Sequence, residues 1–251
     1  MAWLSPTSIS WISLHLVLLL IGIVALDANS YFPQINKPLA EGIGGSLIAT
    51  GIAGEVLFLY VKMSESVQAR LELFTIAGLL KIFPHRSVRI REEYDSRLKV
   101  AREVDVVGFG QSSFREDYRD RFLQLSQQAI VRIVLIDPDY PSPTQSFAAI
   151  RDREEGNTSG QIKNDVEAFE HTVKNIPGLD KTRFRTRRLR AIPSVSIFRI
   201  DDVIFWGPYL IGQQSRNMPT LLVQKGGFLF DRLNQHFEEI WNNDQFSRDS
   251  S

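Results

Sequence analysis

The sequence predicts an α/β protein: a two-helix transmembrane hairpin at the N-terminus, followed by a cytoplasmic α/β domain built on a mixed sheet. Three observations lead to this prediction. Two long apolar stretches, residues 9–26 and 43–61, lie near the N-terminus. A strand–helix–strand pattern occupies the middle of the chain. An apolar β-hairpin, residues 193–207, follows it, with Asp201 and Asp202 as the tight polar turn.

Composition leaves room for a soluble core beside the apolar stretches. The chain has 251 residues, of which 43% are hydrophobic, and this exceeds the needs of one domain of ordinary size. It contains no cysteine, which excludes a disulfide framework and a thiolate metal site. Basic and acidic residues number 29 each, so any attraction to nucleic acid or anionic lipid must be local.

The two apolar stretches are the predicted membrane spans of a domain covering residues 1–63. The first is uncharged unless His15 is protonated, and the second is interrupted only by Glu55. Each is close to the roughly 20 residues that cross a bilayer. A cleaved signal peptide is the alternative for the first stretch, but no Lys or Arg precedes it and a second apolar stretch follows. The lipid bilayer is therefore a predicted partner.

Basic residues set the predicted orientation. The loop between the spans contains only Lys37, whereas a group of basic residues follows the second span: Lys62, Arg70, Lys81, Arg86, Arg89 and Arg91. Because positive charge is retained on the cytoplasmic side, both termini are predicted to be cytoplasmic.

Small residues recur along the second span at Gly42, Ser46, Thr50 and Gly54, with Gly45, Ala49 and Ala53 on an adjacent stripe. Such spacing lets helix backbones approach closely. Packing against the first span and oligomerisation between chains are both open, and both can hold.

Glu55 lies inside the second span, and an antiparallel hairpin places His15 at about the same depth, ~9 Å from the cytoplasmic edge. An ionisable group inside a membrane is a candidate functional residue, so His15, Gly54 and Glu55 form the candidate transmembrane site. In the alternative interpretation, Glu55 stays protonated or reaches the headgroups.

Residues 64–84 predict a connecting helix, with Ser64 as a possible N-cap and Pro84 as the stop. Three placements stay open: a stalk that continues the second span, a helix in the membrane interface, or a helix packed on the soluble domain.

Residues 85–251 predict the soluble domain. Strands 104–110 and 130–137 are expected to be parallel neighbours joined by a helix over residues 113–129. Ser113 and Glu116 match a capping box at the start of that helix. The other predicted elements are helices 89–100, 147–153, 162–175 and 228–241, a strand over 219–225, and a frayed tail over 242–251.

Residues 181–190 hold six basic side chains in ten positions. In an extended strand, Arg183, Arg185 and Arg187 share one face and Arg188 lies on the other. The alternatives are a solvated edge strand protected by charge, a phosphate or nucleic-acid groove, and contact with inner-leaflet headgroups. These four arginines are the candidate polyanion site.

The hairpin turn resembles the phospholipase D-like superfamily. There, the strand before such a turn carries His-x-Lys, with an Asp seven residues after the His. With Asp201 as the acid, Ser194 stands at the His position and Ser196 at the Lys position, and Gly207 opens the following segment. The resemblance covers about residues 91–241 as a single degenerate copy.

This resemblance implies a homodimer, because catalysis in that superfamily joins two such motifs. Serine needs a nearby base to act as a nucleophile, and all four histidines, His15, His85, His171 and His236, lie away from the motif. We therefore expect a pseudoenzyme with no catalytic residue, metal or cofactor. Open α/β sheets bind ligands at the carboxyl ends of strands, which gives a candidate pocket of Ser112, Asp137, Ser194, Ser196 and Asp201.

A two-span hairpin that carries such a domain is similar to accessory membrane proteins of bacterial antiphage systems, including membrane effectors encoded beside retrons. The similarity implies a toxin-like oligomeric effector in the bacterial inner membrane. Its soluble domain would hold a ligand, or a protein or nucleoprotein partner encoded nearby, and thereby control membrane disruption. A membrane-tethered phosphodiesterase or nuclease, and a passive membrane adaptor, are the alternatives.

Overall fold

The computed structural model describes residues 6–27, 30, 32, 36–85 and 88–250. The chain divides into two compact units, Met1–Leu73 and Phe74–Ser251. Arg86, which contributes to the predicted orientation, lies outside the described residues.

The first unit is built from helix α1, Pro6–Leu26, and most of helix α2, Lys37–Ala77. Two stretches, Ser8–Leu26 and Lys37–Glu65, are long and apolar enough to cross a membrane. Only 11% of each stretch is buried, whereas the core helix of a soluble protein is mostly buried. Large apolar side chains therefore face outward along both helices.

The two helices pack through glycines. A Cβ added at Gly22 would lie 2.8 Å from Cγ1 of Ile48, and one at Gly44 would lie 2.8 Å from the carbonyl oxygen of Gly22. A Cβ at Gly51 would lie 3.1 Å from the carbonyl oxygen of His15. The helix backbones thus approach as closely as small residues allow.

The predicted small-residue stripe lies mostly on another face of α2. A Cβ at Gly42 or Gly45 would meet open space, and Ser46 and Thr50 are exposed. Of the two alternatives for this stripe, packing against the first span therefore holds only at Gly54. The reason is geometric: steps of four residues drift by about 40° each around a helix of 3.6 residues per turn.

The second unit contains an eight-stranded mixed sheet. The strands are β1 Leu79–Phe83, β2 Glu103–Gly108, β3 Ile130–Ile136, β4 Phe184–Leu189, β5 Val195–Ile200, β6 Val203–Pro208, β7 Thr220–Gln224 and β8 Ser247–Asp249. Their order across the sheet is β1-β7-β6-β5-β2-β3-β4-β8. Strands β2, β3 and β4 are parallel, and the other neighbours are antiparallel.

Helices cover both faces of this sheet. They are α3 Val88–Leu98, α4 Ser112–Tyr118, α5 Phe122–Gln128, α6 Phe147–Glu155, α7 Gln161–Asn175 and α8 Phe228–Asn242. Tyr94 of α3 meets Phe198 of β5 at a ring distance of 4.7 Å, and Phe122 of α5 meets Phe184 of β4 at 5.1 Å. Helix α8 lies on the opposite face, where Phe237 packs under the guanidinium of Arg132.

Two sequence predictions about the sheet are confirmed. Strands β2 and β3 are parallel and almost fully buried, as central strands between two helical layers must be. Strands β5 and β6 form the predicted hairpin, with Ile200 opposite Val203 and Asp201 at φ 50° in the turn.

The predicted connecting helix over residues 64–84 is wrong beyond Ala77. Gly78 takes φ 73°, a left-handed conformation that ends helices, and its N–H donates to the Thr75 carbonyl at 2.9 Å. Residues Leu79–Phe83 then pair with β7 as an edge strand. The spacing of apolar residues did not distinguish a helix from a strand here, because a short apolar run is compatible with both.

Two further predictions are corrected. The predicted helix over residues 113–129 is split into α4 and α5 by a single 3₁₀ turn, Arg119–Arg121. The capping box at Ser113 does not form, because α4 starts one residue earlier, after Gln111, without a side-chain cap. The predicted frayed tail instead contains β8, whose Ser247 is fully buried and donates to the Ile240 carbonyl at 2.6 Å.

Candidate ligand-binding cavity

A cavity of about 200 Å³ lies at the C-terminal end of β2. The loop after β2, helix α4 and strands β5 and β6 form its walls. Ser112 and Ser196, two of the predicted pocket residues, both line it. They share the cavity because β5 is the neighbour of β2, with Val107 opposite Ile197, so the loop after β2 lies beside the start of β5.

The other hairpin residues of the predicted pocket lie elsewhere. Ser194 is exposed, and its carbonyl accepts from the Tyr209 N–H at 3.3 Å. The Asp201 carboxylate accepts from the backbone N–H groups of Arg102 at 2.9 Å and Glu103 at 2.8 Å. Since β5 is antiparallel to β2, its turn lies at the far end of the sheet, about 17 Å from Ser196 at the usual rise per residue.

Asp137 is also separate from the cavity. It is buried at the end of β3, and its carboxylate pairs with Arg248 of β8 at 2.9 Å. It also accepts from the Asp139 N–H at 3.3 Å. Asp137 therefore ties β3 to the C-terminal strand, and the five predicted residues do not form one site.

Aromatic rings and uncharged polar groups make up most of the cavity wall. Phe109 and Tyr209 meet edge to face at 4.8 Å. The uncharged polar side chains are those of Gln111, Ser112, Ser113, Ser196, Ser215 and Thr220. No described Lys, Arg or His side chain lines the cavity, and its one acidic residue, Asp117, lies 3.7 Å from Arg91.

The backbone beside the cavity is tightly constrained. A Cβ at Gly108 would lie 2.0 Å from Nε2 of Gln111 and 2.8 Å from the hydroxyl of Tyr209. Gln111 itself has φ 51°, a conformation that non-glycine residues adopt rarely. Such strain is held in place by its surroundings and is common at binding sites.

Burial controls protonation around the cavity. It raises the pKa of Tyr209 and, with the Asp95 carboxylate, that of Tyr118. Both phenols therefore keep their proton at neutral pH and can donate. Burial also raises the pKa of Asp165, against hydrogen bonds from Gln161 and Ser112.

Tyr118 and Tyr209 are the two tyrosines of this wall with raised pKa values. Tyr118 is 3% exposed, and its hydroxyl is shielded from solvent and interacts with the Asp95 carboxylate. Sequence reasoning missed both Tyr118 and Tyr209. The sequence held one signal for Tyr118: it lies four residues after Phe114, and this spacing places both rings on one face of the helix after β2.

Chemically, the cavity suits binding. The Ser196 hydroxyl donates to the Gly207 carbonyl at 3.3 Å. His15 lies in α1, His171 in α7 and His236 in α8, and His85 follows β1, so none lines the cavity. Within the described ranges, no cluster of His, Asp and Glu side chains is arranged to hold a metal ion.

The basic strand β4 is an inner strand because β8 covers it, so the solvated-edge alternative does not hold. The predicted division of its faces is confirmed. The guanidinium groups of Arg185 and Arg187 lie 5.4 and 5.8 Å from the Trp241 ring, whereas Arg188 pairs with Glu170 of α7 at 2.7 Å. That hydrogen bond raises the pKa of Arg188.

These arginines have partners within the chain. Arg187 is buried and donates to the Ser247 hydroxyl at 2.9 Å, to the Ser247 carbonyl at 2.6 Å, and to Asp244. Arg183 donates to the Gln127 carbonyl at 2.8 Å, and Arg185 to Asp249 at 3.2 Å. Arg187 thus holds β8 on the sheet, while their role in polyanion binding stays a prediction.

In the first unit, His15 and Glu55 do not pair, although the sequence places them at about the same depth. Nδ1 of His15 donates to the Trp11 carbonyl at 2.8 Å, and the two rings stack at 5.1 Å. One carboxylate oxygen of Glu55, Oε1, is buried without a hydrogen-bond partner. The imidazole is oriented by its own helix instead.

Comparison with known proteins does not assign a family. No family model and no curated protein matches the chain. Among solved structures, the chain is similar to TrmBL2, an archaeal chromatin protein described as showing a novel mode of DNA binding, with 10% identity and a TM-score of 0.40. The match covers 79% of this chain and 69% of that one, and at this score it carries no argument.

Proposed function

We propose that this protein is a membrane-anchored antiphage effector of the bacterial inner membrane, with α1 and α2 as spans and both termini in the cytoplasm. Its α/β domain is a degenerate phospholipase D-like domain, dimeric as in that superfamily. It binds a ligand, or a partner encoded nearby, and thereby controls membrane disruption by the helices. The cavity that unites Ser112 and Ser196 carries the ligand-binding part of this proposal.

The chemistry of the cavity supports a pseudoenzyme. A serine nucleophile needs an adjacent base to take its proton, and a phosphodiester substrate needs cationic groups around it. The Ser196 hydroxyl instead faces the Gly207 carbonyl, and Ser194 lies outside the lining. Binding is therefore the activity that these residues support best.

The helices support the effector part. Leaving a buried oxygen of Glu55 without a hydrogen bond costs free energy, and so does an ionised group in hydrocarbon. A rearrangement that brings water to Glu55 offsets this cost. The exposed face of Gly45, Ser46 and Ala49 offers small residues for packing between copies during such a rearrangement.

Two measurements test this function. Expression of the full chain in bacteria, with a membrane-potential dye, should show depolarisation. The purified full-length protein should hydrolyse phosphodiester lipids and nucleic acids no faster than a Ser194→Ala, Ser196→Ala variant. Serine-dependent hydrolysis would overturn the pseudoenzyme assignment. If the membrane potential stays undisturbed, with and without the genomic neighbours, the effector function is wrong and the passive membrane adaptor is the function that stands.

A further inference from the structure

We propose that the cavity at the end of β2 binds a neutral planar ring with hydrogen-bonding edges, of the kind found in a free nucleobase or nucleoside. This proposal rests on the ligand-binding part of the proposed function and names its ligand class. Phosphate-containing ligands are the chemistry that the superfamily resemblance alone would favour, and the wall of the cavity argues against them.

The first argument is electrostatic. Proteins bind phosphate groups with Arg, Lys or backbone donors, and charge-assisted hydrogen bonds are the strong ones. No described cationic side chain lines this cavity, and Asp117 adds an acidic group to the wall. An anion placed there would be desolvated without an opposite charge, which is costly.

The second argument is shape and surface. A volume of about 200 Å³ is smaller than the cavities that hold drug-sized ligands, so a lipid or an oligonucleotide does not fit inside. Aromatic rings such as Tyr94, Phe109 and Phe198 line it. Proteins hold single nucleobases by stacking them on aromatic rings and by hydrogen bonds to their edges.

The third argument is the polar part of the wall. Gln111 and Thr220 line the cavity, and a purely apolar ligand would offer their polar groups no hydrogen bond. A ring with both donors and acceptors on its edge can satisfy them, because an amide offers both functions. Gln111 is held in a strained conformation at the cavity, which fixes the position from which its amide acts.

The test is titration of the full-length protein in detergent micelles with adenosine, guanosine, cytidine and uridine, followed by calorimetry and ligand-detected NMR. At least one nucleoside should bind, and its 5′-monophosphate should bind no more tightly. Gln111→Gly should weaken binding about tenfold, because it removes one hydrogen bond to the ligand and suits the backbone conformation at this position.

Tyr140→Phe is the control, since Tyr140 lies outside the cavity against Phe147. It should leave affinity unchanged. Thr220→Val is a second variant that removes a hydroxyl from the lining and keeps the shape of the side chain, and it should also lower affinity while the protein stays folded. Binding of no nucleoside, tighter binding of the monophosphate, or full affinity in both cavity variants would overturn the proposal.

Failure of this proposal can be distinguished from failure of the effector function. Nucleoside binding without depolarisation would support the assigned ligand and contradict the effector function. Depolarisation without nucleoside binding would support the effector function and contradict the assigned ligand.

Discussion

The imidazole ring of His15 fills the space beside Gly54. A Cβ added at Gly54 would lie 2.0 Å from Cδ2 of His15 and 2.1 Å from its Nε2, distances that no real contact allows. The ring is also held on its own helix, through the Trp11 carbonyl and the stacked indole. The close approach of α1 and α2 therefore depends on the absence of a side chain at residue 54.

Gly54→Ala is expected to destabilise the helix pair, because the His15 ring or a helix must move. Gly45→Ala is the matched control, since a Cβ there meets open space. Thermal unfolding of the full-length protein in micelles should show a lower Tm for the first variant alone. The larger Gly54→Ile should also suppress depolarisation, and equal Tm values for the two alanine variants would contradict the helix contact.

Glu55→Leu is expected to keep the helix pair intact or strengthen it. The unsatisfied carboxylate oxygen costs about 1–3 kcal/mol, and leucine removes that cost. If hydration of Glu55 drives opening, the variant should no longer depolarise cells at matched expression. Glu41→Leu, near the start of α2, is the control, and unchanged depolarisation with Glu55→Leu would reject a polar-pore role.

The exposed small-residue face of α2 predicts contact between copies, and the absence of cysteine from the chain makes this measurable. Ser46→Cys should form an interchain disulfide in membranes under mild oxidation, because Ser46 is exposed on that face. Ile48→Cys should not, since Ile48 contacts Gly22 within the chain. Equal cross-linking of both variants, or of neither, on a non-reducing gel would argue against this interface.

Arg187→Ala is expected to lower the stability of the α/β domain by about 1.5–3 kcal/mol, the loss of a charged hydrogen bond to β8. Arg185→Ala is the control, because its pair with Asp249 is exposed and contributes at most about 1 kcal/mol. Chemical denaturation of both variants tests the difference. Reversal of Arg183 and Arg185 to Glu then tests salt-dependent polyanion binding without removing Arg187.

Glu238 predicts a loss of stability in acid. Hydrogen bonds from Arg132 lower its pKa below the ordinary value of 4.5. A carboxyl group with a lowered folded-state pKa stabilises the protein above its unfolded pKa, and this contribution disappears as the pH falls through the folded pKa. Glu238→Gln should therefore flatten the fall of Tm below about pH 4.5.

The control for this pH dependence is Glu239→Gln, at an exposed position where the carboxylate accepts from Asn243. Its curve should match that of the parent protein. Burial raises the pKa of Asp105, the other partner of Arg132, so Asp105 contributes in the opposite sense. For this reason the quantity to measure is the difference in Tm between Glu238→Gln and the parent protein at each pH. Identical curves of Tm against pH would show that Glu238 does not contribute to the loss of stability in acid.

Local patterns in the sequence were sufficient for the elements whose partners lie close in the chain. The apolar stretches of α1 and α2, the parallel pair β2 and β3, and the hairpin of β5 and β6 all follow from periodicity and turn residues. The two faces of β4 follow from the alternation of side chains along a strand. These features need no knowledge of distant contacts.

Only the tertiary structure decided the features that depend on strand order and on the ends of elements. Leu79–Phe83 is a strand because β7 lies beside it, and Arg187 is buried because β8 returns to cover β4. Ser112 and Ser196 share a cavity with Tyr118, while Asp201 lies at the other end of the sheet, because β5 runs antiparallel to β2. Spacing within a motif gives the distance along a strand, and the direction of the neighbouring strand determines which residues meet.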